Sequence, residues 1–270
     1  MTSHSSNLFD SYARRAAMAS RDAIRGVCRN LTPIALAWLG VVALVAIVRV
    51  IASPTPATSL AQLASLAVPY VLVGLAPIAG FIVGRNAFLG KARHRSASVQ
   101  LSRIGAWQEM SPREARRHPS FGPVGFMASL IIGMLINVAL RTAEFAMAIP
   151  ALTTDAPAWG YTLFWLATLD TVMMNFFYAV CFVMALRTVP LFPKMLLFAW
   201  LVDIAMQLTI AQAVSSYPLP GEVAIALEQL LSGNIDKVLI SMMIWLPYLI
   251  LADRVNVTYR HRAPAVVAAR

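Results

Sequence analysis

The stretch GYTLFWLATLDTVMMNFFYAVCFVMAL, Gly160 to Leu186, holds one charged side chain, Asp170, in 27 residues and stops at Arg187. A helix needs about 20 mostly apolar residues to cross a bilayer. A helix apolar on every side suits hydrocarbon, where lipid solvates the outward faces and the backbone bonds itself. Five further runs read the same way, near 32–53, 64–84, 123–146, 195–214 and 237–252. The expected fold is an all-α, polytopic membrane protein, a bundle of six transmembrane helices.

Composition agrees. Hydrophobic residues make up 59% of the chain and charged residues 13%, where soluble domains carry about a quarter charged. Cys28 and Cys181 give no disulfide framework, one lying before the first span and one inside a span. His4, His94, His118 and His261 all fall outside the apolar runs, so no histidine metal cluster is expected within the membrane.

The net charge of +10 suggests nucleic acid, but its placement follows the membrane instead. Of 22 Lys and Arg, 19 fall before span one, between spans two and three, between spans four and five, or after span six. The exceptions are Arg49, Arg141 and Lys237. The opposite gaps, Pro54–Leu63, Ala151–Trp159 and Ser215–Asp236, carry no Lys or Arg. Both termini are therefore expected in the cytoplasm, with span one retained rather than cleaved as a signal peptide. The chain divides into a basic amphipathic segment (1–31), a two-helix hairpin (32–84), a basic loop (85–122), a four-helix membrane domain (123–252) and a cytoplasmic tail (253–270). The expected contacts are anionic lipid headgroups on the cytoplasmic side and a membrane-protein partner or a homo-oligomer, with no nucleic acid.

Outside the spans, residues 7–29 alternate Leu8, Phe9, Tyr12, Ile24 and Val27 with five Arg, the pattern of a surface helix or a solvated tail. Ser111-Pro-Arg-Glu114 is a capping-box pattern and predicts a short helix ending near His118-Pro119. Val99, Leu101, Ile104 and Trp107 predict a second helix in the same loop. The segment Gly221–Gly233, with Val223, Leu227, Leu230 and Leu231 on one face, is expected to lie flat on the outer leaflet or cap the bundle. Trp159, Tyr161, Phe164 and Trp165, with Phe198 and Trp200, read as interfacial belts.

Small residues recur every four positions in two spans: Ala76, Gly80 and Gly84, and Gly125, Ser129 and Gly133 with Asn137 beyond. Such stripes let helix backbones approach closely in lipid. Pro69 and Pro77 are expected to bend span two.

Asp170 and Asp203 lie well inside their spans. A charge there costs roughly 2.5–3.5 kcal/mol unless paired or wetted. Asn175 shares the face of Asp170, and Gln207 follows Asp203 by one turn. Two readings stay open. In one, Asp170, Asn175, Asp203 and Gln207 line a substrate or ion pathway. In the other, Arg49 and Arg141 pair with Asp170, Asp203 and Glu144 and specify how the helices pack.

The last span ends Trp245-Leu-Pro247-Tyr248 and continues Arg254-Val255-Asn-Val-Thr258-Tyr259. This resembles the end of the DUF2569 family of small bacterial membrane proteins, in which a Trp-x-Pro-Tyr element closes the last helix. A Ser-x-Arg-Val-x-x-Thr-Phe element follows there; here Ala252 replaces the Ser and Tyr259 the Phe. The resemblance covers roughly residues 121–262 and implies four core helices in a bacterial inner membrane, with no reaction attached. Read as residues alone, Pro247 bends the helix, Trp245 and Tyr248 sit near its inner end, and Arg254 anchors at the interface.

The chain has no P-loop, Gly-x-Ser-x-Gly, His-Glu-x-x-His or Cys-x-x-Cys. No catalytic residue, metal or cofactor is therefore assigned. The leading expectation is a non-enzymatic interaction or accessory protein. The alternatives are a small transporter or channel using Asp170 and Asp203, and a lipid-processing enzyme using two of Asp170, Asp203 and Glu144.

Overall fold

The computed structural model describes residues 18–19, 21–88 and 106–265. Its principal helices are α1 (Leu31–Ile51), α2 (Leu60–Ala87), the short α3 (Pro112–Arg117), α4 (Phe126–Ala148), α5 (Ala158–Leu186), α6 (Phe192–Ser215) and α7 (Gly221–Leu251). All but α3 are long and apolar enough to cross a membrane, giving a six-span, multi-pass membrane protein. After α7 come α8 (Asp253–Val255), a π-helical turn over Asn256–Arg260 and strand β2 (Arg262–Pro264). Strand β2 pairs antiparallel with β1 (Trp107–Glu109), with Gln108 opposite Ala263.

Helix α5 is the hub. Its face from Met174 through Ala185 is buried almost continuously, with α2, α4 and α6 packed against it. The Ala76–Gly80–Gly84 stripe makes the α2 approach possible. A Cβ on Gly80 would strike Phe176 O, and one on Gly84 would come within 3.1 Å of Val183 Cβ. Close backbone contact at small residues is what binds helices together where lipid is no less apolar than the side chains. Helix α1 is peripheral: Val42 is its one buried residue, and the Trp38 indole donates to Gly74 O on α2.

Each end of the bundle is stapled. At one end, Arg49 donates to Ile149 O, Ser53 to Ala151 O, and Gln62 to Asp155. At the other, Arg187 donates to the carbonyls of Arg85 and Phe88, and Tyr259 to Ala185 O. The second end carries the basic loops and is called the basic end below; the first is the far end.

Several expectations change. Residues 221–236 are the first four turns of a continuous 31-residue α7 rather than a separate surface helix. Leu227 and Leu231 pack on Ile210, Val214 and Phe145, which holds the extension upright. Gly125 is the N-cap of α4 with φ 64°, a left-handed conformation that glycine tolerates. Ser129 and Gly133 are exposed, with nothing near Gly133, so this stripe packs against no helix of its own chain.

Trp107 lies in β1 rather than in a helix, while Val99, Leu101 and Ile104 fall outside the described residues. So do Leu8, Phe9 and Tyr12; the helical stretch 21–29 places Ile24 and Val27 against the core. Phe164 and Trp200 are buried core residues, not belt residues. The segment expected as a tail is folded onto the basic end through residue 265, with Val255, Val257 and Tyr259 buried. The capping box at Ser111 is present with both reciprocal bonds.

Candidate functional site

Near the middle of the bundle, α4, α5 and α6 bring three charges together. One nitrogen of the Arg141 guanidinium, Nη1, donates to Asp170 Oδ2 at 2.7 Å. The other, Nη2, reaches both oxygens of Asp203 at 2.6 Å. Asp203 is completely buried, Asp170 nearly so, and the Arg141 side chain is 12% exposed. A guanidinium suits this position because it offers several donors in a rigid plane and stays charged. The local sequence sets the geometry: α4 and α6 each present one ionic residue to the core, and α5 presents Asp170 between them.

Uncharged polar residues complete the cluster. Gln207, one turn from Asp203, accepts from Asn234 Nδ2 at 3.1 Å. Its own Nε2 lies beside the carboxylates without a well-formed bond to either. Asn175 donates to Thr142 Oγ1 at 2.8 Å. Thr168 and Thr171 spend their hydroxyls on the Phe164 and Ala167 carbonyls of their own helix. Asp170 Oδ1, Asn175 Oδ1 and Gln207 Nε2 are buried and without partners.

On the far side of the cluster lies a cavity of about 40 Å³, lined by Arg141, Asp170 and Gln207 with Asn234 and Glu144. One water needs about 10–15 Å³, so the space is water-sized rather than substrate-sized.

Of the predicted pathway residues, Asp170, Asp203 and Gln207 come together and Asn175 lies one turn away along α5. The expected ion pairing divides differently. Arg141 takes both aspartates. Arg49 takes a backbone carbonyl instead, and Glu144 pairs with Lys237 on α7 at 2.6 Å. Hydropathy alone hides Lys237, because it stands at the edge of the apolar run. The signal that reveals it is the helical spacing Leu227, Leu231, Asn234, Val238, which continues α7 past that edge.

A second opening lies between α4 and α7. The two helices are pinned at the basic end, where Phe126 stacks on Trp245 at 4.6 Å and meets Tyr248 edge-on. They are pinned again by Glu144 and Lys237. Between these pins is a cleft of about 210 Å³, with Gly133, Asn137 and Ser241 on its walls and Tyr178, Leu196 and Trp200 at its base.

The C-terminal motif is a clamp. Trp245 and Tyr248 hold Phe126, Arg254 donates to Ser120 O at 3.3 Å, and Thr258 Oγ1 accepts from Gly122 N. Val255 fills the core below them. Together they fix the loop that leads into α4. Among the described residues, no group of three His, Cys, Asp or Glu is placed to hold a metal ion. No protein-family model, curated protein or solved structure matches the chain.

Proposed function

We propose that this is a non-enzymatic protein of the bacterial inner membrane, with its basic end in the cytoplasm, that works by associating with another membrane-spanning chain. The observation that carries this reading is the open α4–α7 cleft. Gly133 on its wall, with Ser129 one turn away on the same exposed face of α4, gives the close approach that helix association in lipid requires, and Asn137 and, as an acceptor, Ser241 supply hydrogen bonds to an incoming helix. The motif resembling DUF2569 supports the bacterial assignment, and its clamp keeps the basic end of the cleft in shape. The basic loops support the orientation. Anionic headgroups are proposed as the lipid contacts of that face.

Native mass spectrometry after gentle extraction tests the association. A fixed homo-oligomer or a stoichiometric second membrane protein is expected. If one is found, Gly133→Leu should abolish it while the monomer stays folded. A lone monomer under the gentlest extraction would count against the reading.

One observation favours a transport reading as the alternative. The Arg141–Asp170–Asp203 cluster sums to one net negative charge, and Asp170, whose Oδ1 is buried without a partner, lines a cavity. In that case Asp170→Asn or Asp203→Asn abolishes an ion flux in proteoliposomes while folding survives. Unchanged flux in both variants would remove it. A lipid-processing enzyme would need one of these acids free; each is ion-paired.

A further inference from the structure

We infer that the basic end carries a second, separate site, built from Arg260 and Arg262 on Asn256, that binds a phosphate group. The chain turns back on itself after α7 through the π-helical turn and a left-handed His261 (φ 51°, ψ 49°). π-Turns recur at functional sites because they displace side chains from helical register. Here the turn brings two guanidinium groups onto one amide oxygen. Asn256 Oδ1 accepts from Arg260 Nη1 at 2.8 Å and from Arg262 Nε at 2.9 Å. The Asn256 amide nitrogen is fixed by donating to the carbonyls of Ile250 and Ala252, which leaves its oxygen facing the arginines.

Among the described residues, no carboxylate forms an ion pair with either arginine. Glu109 stands opposite Arg262 in the strand register and Asp253 opens α8, yet neither forms an ion pair with either arginine among the described residues. Arg262 is 6% exposed and lies over the Trp107 ring at 4.9 Å. Each arginine keeps one buried nitrogen, Nη2, without a hydrogen-bond partner. Burial and the neighbouring Arg262 charge push Arg260 down to about 10, and burial also lowers Arg262. Two adjacent, covered cations with no anion are costly. A phosphate, with several oxygens matched to two guanidinium forks, is the group that relieves that cost.

Depth points to where the phosphate comes from. Arg260 Nη1 also reaches Ile250 O at 3.4 Å, level with the last turn of α7. That places the pair where the spanning helix leaves the hydrocarbon, at headgroup height. Arg260 is the less buried of the two, so its side chain is the way in.

The test uses the full chain in a zwitterionic detergent. Thermal unfolding is followed with added phosphatidylglycerol, phosphatidylcholine or inorganic phosphate at constant ionic strength. Phosphatidylglycerol is expected to raise the midpoint, and Arg260→Gln and Arg262→Lys each to weaken that response about tenfold in lipid concentration, as loss of a charge-assisted hydrogen bond implies. Arg113→Gln, on the exposed α3 surface, should respond as the unaltered chain does. A response to inorganic phosphate equal to that for phosphatidylglycerol would still support the site and would make its ligand a soluble phosphate. No response to either, or an equal response in Arg260→Gln and the unaltered chain, would overturn it. Arg260→Gln carries the decision should the more buried Arg262→Lys fail to fold.

Discussion

Arg141 holds two carboxylates that would otherwise repel each other in a medium where repulsion is strong. Removing it therefore differs from removing either acid. Arg141→Met leaves two uncompensated buried acids and is expected to cost about 3–5 kcal/mol, the usual result of breaking one side of a buried ion pair. Arg141→Met combined with Asp170→Asn and Asp203→Asn should recover much of that loss, since no charge is left unpaired. Thermal unfolding of the unaltered chain, the single variant and the triple variant in one detergent measures both. If the single and triple variants unfold alike, the cluster does not hold the helices together. The sequence marked Arg141, Asp170 and Asp203 as costly and left open who paired with whom. That choice depends on rotation of α4 against α5 and α6, which is set by packing at residues such as Met174 and Leu196 rather than by the ionic residues themselves. Arg49 shows the same limit. It looked like a partner for an acid, but its height on α1 puts it against the Ile149 carbonyl.

At the scale of elements, two small-residue stripes with the same spacing have different fates. On α2 the stripe faces α5, and Gly80 sits against the backbone of Phe176. On α4 the stripe faces outward. A four-residue repeat shows that a helix has a small face without showing what covers it. The contrast gives a paired prediction. Gly80→Ala forces α2 off α5 and should destabilise the monomer by about 1–3 kcal/mol, the range for overpacking. Gly133→Ala should leave monomer stability nearly unchanged, since nothing stands near the added carbon. Comparing their unfolding midpoints checks this, and equal losses would mean that the α4 stripe is packed after all. The clamp makes a third case. Arg254→Ala removes the donor to the Ser120 and Gly122 carbonyls and should raise hydrogen exchange in residues 118–126 more than in α5. Uniform exchange across the chain would deny the clamp its local role. Helix α7 shows what hydropathy conceals. Glu222, Glu228, Asp236 and Lys237 dilute its first half, so an apolar window begins only where they end. Its helical period runs on unbroken through Leu227, Leu231 and Val238, all of which are buried.

For the whole molecule, the six spans are legible because each apolar run is long and most boundaries are charged, proline-marked or both. What the bundle alone leaves symmetric is which end faces the cytoplasm, and charge breaks that symmetry. The loops at the basic end hold Arg85, Arg113, Arg116, Arg117, Arg187 and Lys194, while none of the far-end gaps carries Lys or Arg and the last two carry acids. Moving that many cations across a membrane during insertion is strongly disfavoured relative to passing three short uncharged or acidic hairpins. A reporter fused after residue 56, 155 or 218 should therefore register outside the cytoplasm, and one fused after residue 100 or 262 inside. The fusion after residue 262 is the most informative, since six spans return the chain to its starting side only if α7 crosses. Were α7 to lie along the surface, that reporter would register outside while the one after residue 218 kept its place. A full reversal at all five points would place the basic end outside and separate the phosphate site from the anionic inner leaflet. Agreement at all five would fix Arg260 and Arg262 at the cytoplasmic headgroups, where anionic lipid is at hand.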